Sequence, residues 1–186
     1  MSFPAAARRV HIETGKQTAG CNPAHRSAPL AMMSQLDTQQ LADYAKQEAA
    51  LTHHHPLSSD VASAVVVICH QLVQGSTWEK AIASACTGRL PETVKAISKP
   101  ELESLKTGGF APDVLAAAIY FVGSSESFND ALKRSLQFAG PANHCPVLVG
   151  SIAGARWGMS SINRSLLEHC SILSRVQAVA ENLNSR

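Results

Sequence analysis

The sequence predicts an all-α fold, a compact bundle of many helices around one hydrophobic core. From residue 37 onward, apolar residues recur mostly at three- and four-residue steps, which is the spacing of a helix with one buried face. Asp37 or Thr38 can cap the first of these segments, Thr77 caps another, and Ser127 opens a third. Gly75 and Gly123 end two of the segments. With 186 residues, of which 45% are hydrophobic, the chain is long enough to bury a core.

The beginning of the chain lacks this pattern. Residues 1–34 are expected to be irregular because prolines and glycines interrupt them, at Pro4, Gly15, Gly20, Pro23 and Pro29. We therefore divide the chain into an irregular segment, residues 1–19, and a helical domain, residues 20–186.

A long apolar helix is predicted at the centre of the fold. Ser58 or Ser59 caps its start, and Gly75 stops it. Between them, Val61–Val73 is apolar on nearly every side, which is typical of a buried helix. A strand over Val65–Cys69 is the alternative, but the length of the pattern favours a helix.

Further helices are expected on both sides of this one. They cover residues 37–52, Trp78–Cys86, two short stretches of Pro91–Leu105 that are broken at Pro100, Asp113–Phe121, a segment from Ser127, and one or two helices in Asn163–Leu183. In the amphipathic helix after Ser127 the residues expected to face inward are Phe128, Ala131, Leu132, Leu136 and Phe138.

Composition narrows the classes of function. A net charge of +2 and an aromatic content of 5% give no basic surface or stacking platform for nucleic acid. No apolar run approaches the roughly 20 residues of a membrane-spanning helix, so we expect no membrane association. The five cysteines are odd in number and without CxxC spacing, which predicts free thiols in a reducing, cytoplasmic compartment.

A turn rich in Gly, Pro and Asn, at residues 139–144, opens into an apolar helix. This helix carries Gly150, Gly154 and Gly158 on one face, which predicts close packing against another backbone. Asn143 is a good N-cap residue. The free amides and positive dipole at the start of such a helix suit phosphate or carboxylate.

Three blocks of sequence suggest a family. They read GCNPAHRSAPL at residues 20–30, LTHHHPL at 51–57, and GPANHCPVLVGSIAGARWG at 140–158. The first resembles a Gly/Asn-rich loop ending in Arg-x-x-Pro-Leu, and the second a Leu-Thr-His-x-His-Pro element. The third resembles a Gly-Asp-x-Asp-Thr turn with its glycine-containing helix. In order and spacing the chain resembles the C-terminal portion of the ADP-ribosylglycohydrolases, of the dinitrogenase-reductase-activating-glycohydrolase type.

This resemblance implies an orthogonal all-α bundle that hydrolyses the N-glycosidic bond between ADP-ribose and an acceptor, commonly arginine. It also implies two divalent metals, magnesium or manganese, held by a Thr-Asp-Asp element near the family's N-terminus and by the Asp-x-Asp-Thr turn. The chain has no counterpart of the first element. We therefore expect an N-terminally incomplete fold, to which a missing N-terminal half or a partner chain contributes.

The turn departs from the family pattern. Pro141 and Asn143 stand at its two Asp positions, and His144 stands at its Thr position. Hard dications prefer anionic oxygen ligands, whereas Asn143 offers one neutral oxygen and is at most a weak metal ligand. His144 suits a transition metal better. We therefore assign no catalytic residue, expect impaired or absent hydrolysis by this chain alone, and allow that it holds no metal.

The resemblance assigns a set of substrate-binding candidates, which are Asn22, His25, Arg26, His53, His55, Asn143 and His144. His53 is expected to face a cleft and touch a ribose, unless the turn around it is simply solvated. Arg26 either pairs with a pyrophosphate or holds a structural carboxylate. A metal site formed by the consecutive residues 53–55 is disfavoured because neighbouring side chains point apart. A Cys145–His144 nucleophile pair is disfavoured for the same reason.

These observations leave three functional hypotheses. The chain is an impaired glycohydrolase, a non-catalytic protein that binds ADP-ribose or a similar nucleotide, or a truncated interaction protein whose apolar helices dock on another chain. The expected partner is an ADP-ribose-like small molecule or an ADP-ribosylated protein.

Overall fold

The computed structural model describes residues 2–184, and within them it contains eleven α-helices and no β-strand. The all-α prediction is therefore confirmed. In chain order the helices are α1 (Phe3–Glu13), α2 (Asn22–Ser27), α3 (Thr38–Ala50), α4 (Pro56–Val73), α5 (Trp78–Cys86), α6 (Pro91–Ile97), α7 (Ala111–Gly123), α8 (Phe128–Ala139), α9 (His144–Trp157), α10 (Arg164–Glu168) and α11 (Leu173–Asn184). Short 3-10 helices lie at Ala28–Met32, Leu102–Ser104 and Met159–Ser161.

Helix α4 is the centre of the molecule. Fourteen of its eighteen residues are buried, and α2, α3, α5, α7 and α9 all pack against it. By length and composition it could cross a membrane, but 78% of it is buried inside the protein, as in the core helix of a folded domain. His70, on this helix, donates a hydrogen bond from Nδ1 to the carbonyl of Ala31 at 3.0 Å. The prediction of a buried, nearly all-apolar helix is confirmed.

The start of α4 differs from the prediction. Its N-cap is His55, whose Nδ1 accepts a hydrogen bond from the amide of Leu57 at 3.2 Å, and Pro56 takes the first helical position. Proline suits that position because its fixed φ is already helical and the first amide needs no partner. Ser58 therefore lies inside the helix, where its hydroxyl donates to the carbonyl of Thr18. The prediction that Ser58 or Ser59 caps α4 was therefore wrong.

Other predicted caps are confirmed. Asp37 forms a capping box with Gln40 at the start of α3. Thr77 and Ser127 accept backbone amide hydrogen bonds at the starts of α5 and α8. Each such cap stabilises its helix by about 1 kcal/mol.

The beginning of the chain is more ordered than predicted. Helices α1 and α2 and the first 3-10 helix occupy much of residues 3–32. Pro4, Pro23 and Pro29 all stand at the first or second position of these elements, so the prolines begin the helices and do not interrupt them. The irregular N-terminus was therefore wrong, while the division of the chain after residue 19 stays a prediction.

The glycines of α9 do not pack closely. A Cβ added at Gly150 or Gly154 would have no atom within 4 Å outside its own helix. Gly158 ends the helix with a φ of +77°, a conformation that favours glycine. The predicted backbone contact along the stripe was wrong, and only Gly158 has a conformational reason to be glycine.

Apolar side chains are exposed at several places in the described part of the chain. Leu136, expected to face inward from α8, is 53% exposed, so that expectation was wrong. Helix α11 exposes Val176, Val179 and Leu183 along one side. The interaction hypothesis stays a prediction.

A buried ion pair links the second turn of α4 to the loop before α6. The side chains of Asp60 and Arg89 are 7% and 4% exposed, and their Oδ1 and Nη1 atoms are 3.5 Å apart. The second carboxylate oxygen of Asp60 accepts a hydrogen bond from the amide of Leu90 at 2.8 Å. Removing either partner leaves the other charge buried and uncompensated.

Replacing Asp60 with alanine should lower the free energy of unfolding by about 3–5 kcal/mol, because Arg89 is then buried without a counter-charge. Chemical denaturation followed by circular dichroism measures this. Asp130→Ala, which breaks the exposed pair of Asp130 with Arg134, is the control and should cost about 1 kcal/mol or less. Equal losses in the two variants would contradict the central role of the buried pair.

Replacing Gly150 with alanine should raise the free energy of unfolding by about 0.5–1 kcal/mol, because the helix gains propensity and the new methyl group meets no neighbour. The same denaturation assay measures it. Gly158→Ala is the matched control and should destabilise the protein, since its φ of +77° strains any other residue. A loss of stability at Gly150 would mean that the helix packs closely there after all.

Candidate functional site

The candidate site is built where two loops cross. The amide of Cys21 donates to the carbonyl of Gly109 at 3.0 Å, and the amide of Ala111 donates to the carbonyl of Ala19 at 2.9 Å. Between these bonds Gly20 and Phe110 form an isolated antiparallel bridge. We call residues 19–21 and 109–111 the loop crossing. It holds the start of the first sequence block against the start of α7.

Two of the predicted histidines stand over the glycines of the loop crossing. A Cβ at Gly20 would lie 3.0 Å from Nε2 of His53, and one at Gly109 would lie 3.4 Å from Nε2 of His144. The missing side chains therefore let the imidazoles approach the backbone. Because His53 belongs to the second block and His144 to the third, all three blocks meet at this crossing.

A thiol completes the group on the His144 side. Sγ of Cys21 is 3.5 Å from Nδ1 of His144. The ring of His25 stacks on that of His144, with centroids 6.0 Å apart and planes at 24°. One ligand atom from each of these three residues lies within 4.8 Å of the others, and no carboxylate belongs to this cluster in the described part of the chain.

Sequence reasoning missed Cys21 and considered Cys145, the chain neighbour of His144. Cys145 is buried and is not part of the cluster. The sequence contained one sign that Cys21 and His25 lie together. They are four residues apart, and residues at this spacing lie on the same face of a helix. Their proximity to His144, 123 residues away from Cys21, is a tertiary contact.

Burial sets the protonation of this cluster. It raises the pKa of the Cys21 thiol to about 11. Burial, and then the charge of the neighbouring His144, lower the pKa of His25. At neutral pH the pair is therefore a thiol and a neutral imidazole. Nε2 of His25 is buried and has no hydrogen-bond partner among the described residues, an arrangement that costs about 1–3 kcal/mol.

Arg26 orients His53. Its Nε donates to Oε1 of Glu48 at 2.5 Å, and its Nη2 donates to Oγ1 of Thr52 at 2.7 Å. That hydroxyl is in turn 2.9 Å from Nδ1 of His53. Of the two roles expected for Arg26, the structural carboxylate is the one seen, and a pyrophosphate role stays a prediction.

This chain of contacts also affects the charge of His53. Burial first, and then the Arg26 cation, lower its pKa, so the ring is neutral at pH 7. Because Nδ1 faces the threonine hydroxyl, Nε2 is the nitrogen that faces Gly20. His53 therefore presents a neutral nitrogen at the loop crossing.

The other predicted residues contribute less. Asn22 and Asn143 are exposed. Asn143 precedes α9 but makes no capping hydrogen bond, because its φ of −95° and ψ of 2° are not the extended conformation of an N-cap. The prediction that Asn143 caps α9 was therefore wrong. The imidazoles of His54 and His55 turn away from His53 and lie against the ring of His11.

A cavity of about 460 Å³ opens beside the loop crossing. Gly20, Gly109, Phe110 and His55 line it together with Lys16, a cation that sequence reasoning did not single out. A larger cavity, of about 650 Å³, lies between α5 and α7 and contains none of the predicted site residues. Of these two cavities, the smaller one adjoins the loop crossing, and His55 is the one predicted site residue in its lining. His53 and His144 do not line it, and His144 borders a separate void of about 10 Å³.

The residues of the turn do not fit the magnesium or manganese ions that the resemblance implies. Pro141 has no ligand atom, Asn143 offers one neutral oxygen, and His144 lies against a thiol and a second imidazole. Hard dications need several oxygen ligands, which this arrangement does not supply.

Acidification should destabilise the protein through His25 and His53. Their pKa values lie below the ordinary value of 6.5 in the folded state, so the unfolded chain binds more protons below that pH. The free energy of unfolding is therefore highest above about pH 6.5 and falls as the pH drops through the folded-state values. Denaturation between about pH 5 and about pH 8 measures this. His25→Asn should flatten the slope of stability against pH, and an unchanged slope in that variant would contradict the role of His25.

Comparison with known proteins agrees with this architecture. An ADP-ribosylarginine hydrolase Tri1 of Serratia proteamaculans (strain 568) is 27% identical over 175 residues, which are 91% of this chain and 48% of that protein. The ADP-ribosyl-(dinitrogen reductase) glycohydrolase of Rhodospirillum rubrum is 23% identical over 146 residues, 77% of this chain and 48% of that protein. The chain spans about half the length of the curated relatives it matches.

The fold is also found among solved structures. A structure described as an ADP-ribosylglycohydrolase-related protein complex matches with a TM-score of 0.82 and 21% identity, over 98% of this chain and 68% of that one. The family model for ADP-ribosylglycohydrolase matches residues 2–186. The chain therefore belongs to the ADP-ribosylglycohydrolase family.

Proposed function

We propose that this chain binds an ADP-ribosyl group at the loop crossing, and that hydrolysis of the N-glycosidic bond by these 186 residues alone is impaired. The observation that carries the proposal is the meeting of the three blocks, with His53 over Gly20 and His144 over Gly109. The names of the relatives support the ligand class, since they are an ADP-ribosylarginine hydrolase and an ADP-ribosyl glycohydrolase.

The cavity beside the crossing suits a nucleotide-sized ligand. Its volume of about 460 Å³ lies in the range of about 300–1,000 Å³ that is usual for small-molecule sites. Lys16 supplies positive charge for a diphosphate, and Gly20 and Gly109 let a ligand approach the backbone closely. The neutral Nε2 of His53 can exchange a hydrogen bond with a ribose hydroxyl.

Impaired hydrolysis is expected because the turn lacks its acids. Cleaving a glycosidic bond requires a group that activates water and negative charge that stabilises the developing cation of the sugar. Pro141 and Asn143 provide neither. The most economical function for these residues is therefore recognition, in the cytoplasm, of an ADP-ribosylated protein or of ADP-ribose itself.

Calorimetric titration of the chain with ADP-ribose in the presence of a chelator tests this proposal. We expect metal-independent binding that His53→Ala weakens at least about tenfold, or about 1.4 kcal/mol, because a hydrogen bond to the ligand is lost. Gly20→Ala should weaken it similarly, since its Cβ would displace the His53 imidazole. His169→Ala and Gly150→Ala are the matched controls and should bind like the unaltered chain.

Hydrolysis is measured in parallel with an ADP-ribosylated arginine peptide. We expect no release of ADP-ribose above the rate without protein. Release by the folded chain alone would contradict the impairment, and absence of binding to a chain that melts cooperatively would contradict the recognition function.

A further inference from the structure

We propose that Cys21, His25 and His144 form a binding site for one transition-metal ion of the zinc type, held by a thiolate and two imidazoles. This inference does not rest on the proposed function, because it concerns the affinity of three side chains for a metal and requires no nucleotide.

The distances within the cluster are close to those in a site that contains a bound metal ion. Tetrahedral zinc binds sulfur at about 2.3 Å and nitrogen at about 2.0–2.1 Å, which puts the two ligand atoms about 3.6 Å apart. Sγ of Cys21 and Nδ1 of His144 are 3.5 Å apart. All three ligand atoms lie within 4.8 Å of one another, so small side-chain adjustments bring them to a common centre.

One nitrogen of His25 is available for this role. Its Nε2 is buried and has no hydrogen-bond partner among the described residues. A buried polar atom without a partner is costly, and a bound ion would remove that cost.

The protein backbone already holds the ligands in place. Cys21 and His25 are four residues apart at the beginning of α2, and the amide of Cys21 is tied to the carbonyl of Gly109. His144 is the first residue of α9, which packs against α2. Ligands from two packed helices lose little freedom on binding, as a preformed metal site requires.

The ligand chemistry selects the metal. Thiolate and imidazole ligands suit zinc and related transition metals, whereas magnesium and manganese prefer carboxylate oxygens. Three protein ligands also leave a fourth position open, as in zinc sites that bind a small ligand or water. The site therefore differs in metal class from the acidic one that the family turn would build.

Binding has a defined proton balance. The buried Cys21 thiol gives up its proton to solvent as the metal–sulfur bond forms, and each imidazole binds the metal through the lone pair of an unprotonated ring nitrogen. No electron is transferred. One proton is therefore released for each ion, and the affinity rises about tenfold per pH unit while the free thiol and the imidazoles keep their protonation states.

A second group of histidines is the competing explanation for any metal binding. The rings of His54 and His55 lie 5.3 and 5.6 Å from that of His11. However, Nδ1 of His11 contacts the hydroxyl of Thr18, and Nδ1 of His55 accepts the amide of Leu57. This second group also has no thiol, so spectroscopy separates the two sites.

The test is a titration of the metal-free chain, without a polyhistidine tag, first with Co²⁺ and then with Zn²⁺. We expect one ion per chain, tetrahedral cobalt bands, and a thiolate-to-cobalt charge-transfer band that Zn²⁺ abolishes. Calorimetry in buffers of different ionisation enthalpy should show one proton released. Removing a group that only hydrogen-bonds to a metal ligand weakens binding about 10–100-fold. Cys21 and His25 are proposed direct ligands, so Cys21→Ser and His25→Gln should each weaken Zn²⁺ binding at least about 100-fold.

The controls are Cys170→Ser, at an exposed cysteine, and His54→Asn in the competing group, and both should keep the affinity and the spectrum. Loss of binding in His54→Asn with retention in Cys21→Ser would overturn the proposal. If Cys21→Ser fails to fold, the unaltered chain still decides the question, because cobalt bound without the thiolate band would also overturn it. ADP-ribose is absent throughout, so failure of nucleotide binding would leave this result intact.

Discussion

Burial of helix α4 along almost its whole length is the constraint on which the rest of the structure depends. A helix that is apolar on every side is stable in water only when other elements cover all of its faces. Helices α2 and α9 are two of those elements, and covering α4 brings their first residues together. The cluster of Cys21, His25 and His144 is therefore a geometric result of filling the core. The buried Asp60–Arg89 pair holds the second turn of the same helix against the loop before α6.

The site combines a backbone with the ADP-ribosylglycohydrolase fold and a group of thiol and imidazole side chains. The loop crossing, with its two glycines, leaves room for His53 and His144 to lie against the backbone. Carboxylates are missing from the turn, and a thiol and imidazoles converge beside it. The proposed recognition uses His53, whereas the proposed metal site uses Cys21 and His25, and His144 takes part in both.

The sequence predicted several features that depend on residues close together in the chain, although the caps expected for α4 and at Asn143 were wrong. Periodicity identified α4 and α7, and the caps at Asp37, Thr77 and Ser127 were right because each bonds an amide three residues away. Prolines near the N-terminus were misinterpreted as breaks, since a proline that starts a helix and one that breaks a helix have the same local chemistry. The role of Cys21 was missed because its partner His144 is distant in sequence, whereas Cys145 is the thiol adjacent to His144 in the chain.

The distance of 123 residues between Cys21 and His144 has a consequence for how the site comes into being. Closing so long a loop costs conformational entropy, which only the packing of the intervening helices offsets. The thiol and the imidazole therefore meet only when most of the domain has folded, and no short peptide of this chain contains the site. In a cell, the arrangement would be absent from nascent or partly unfolded chains, so its chemistry is restricted to the finished molecule.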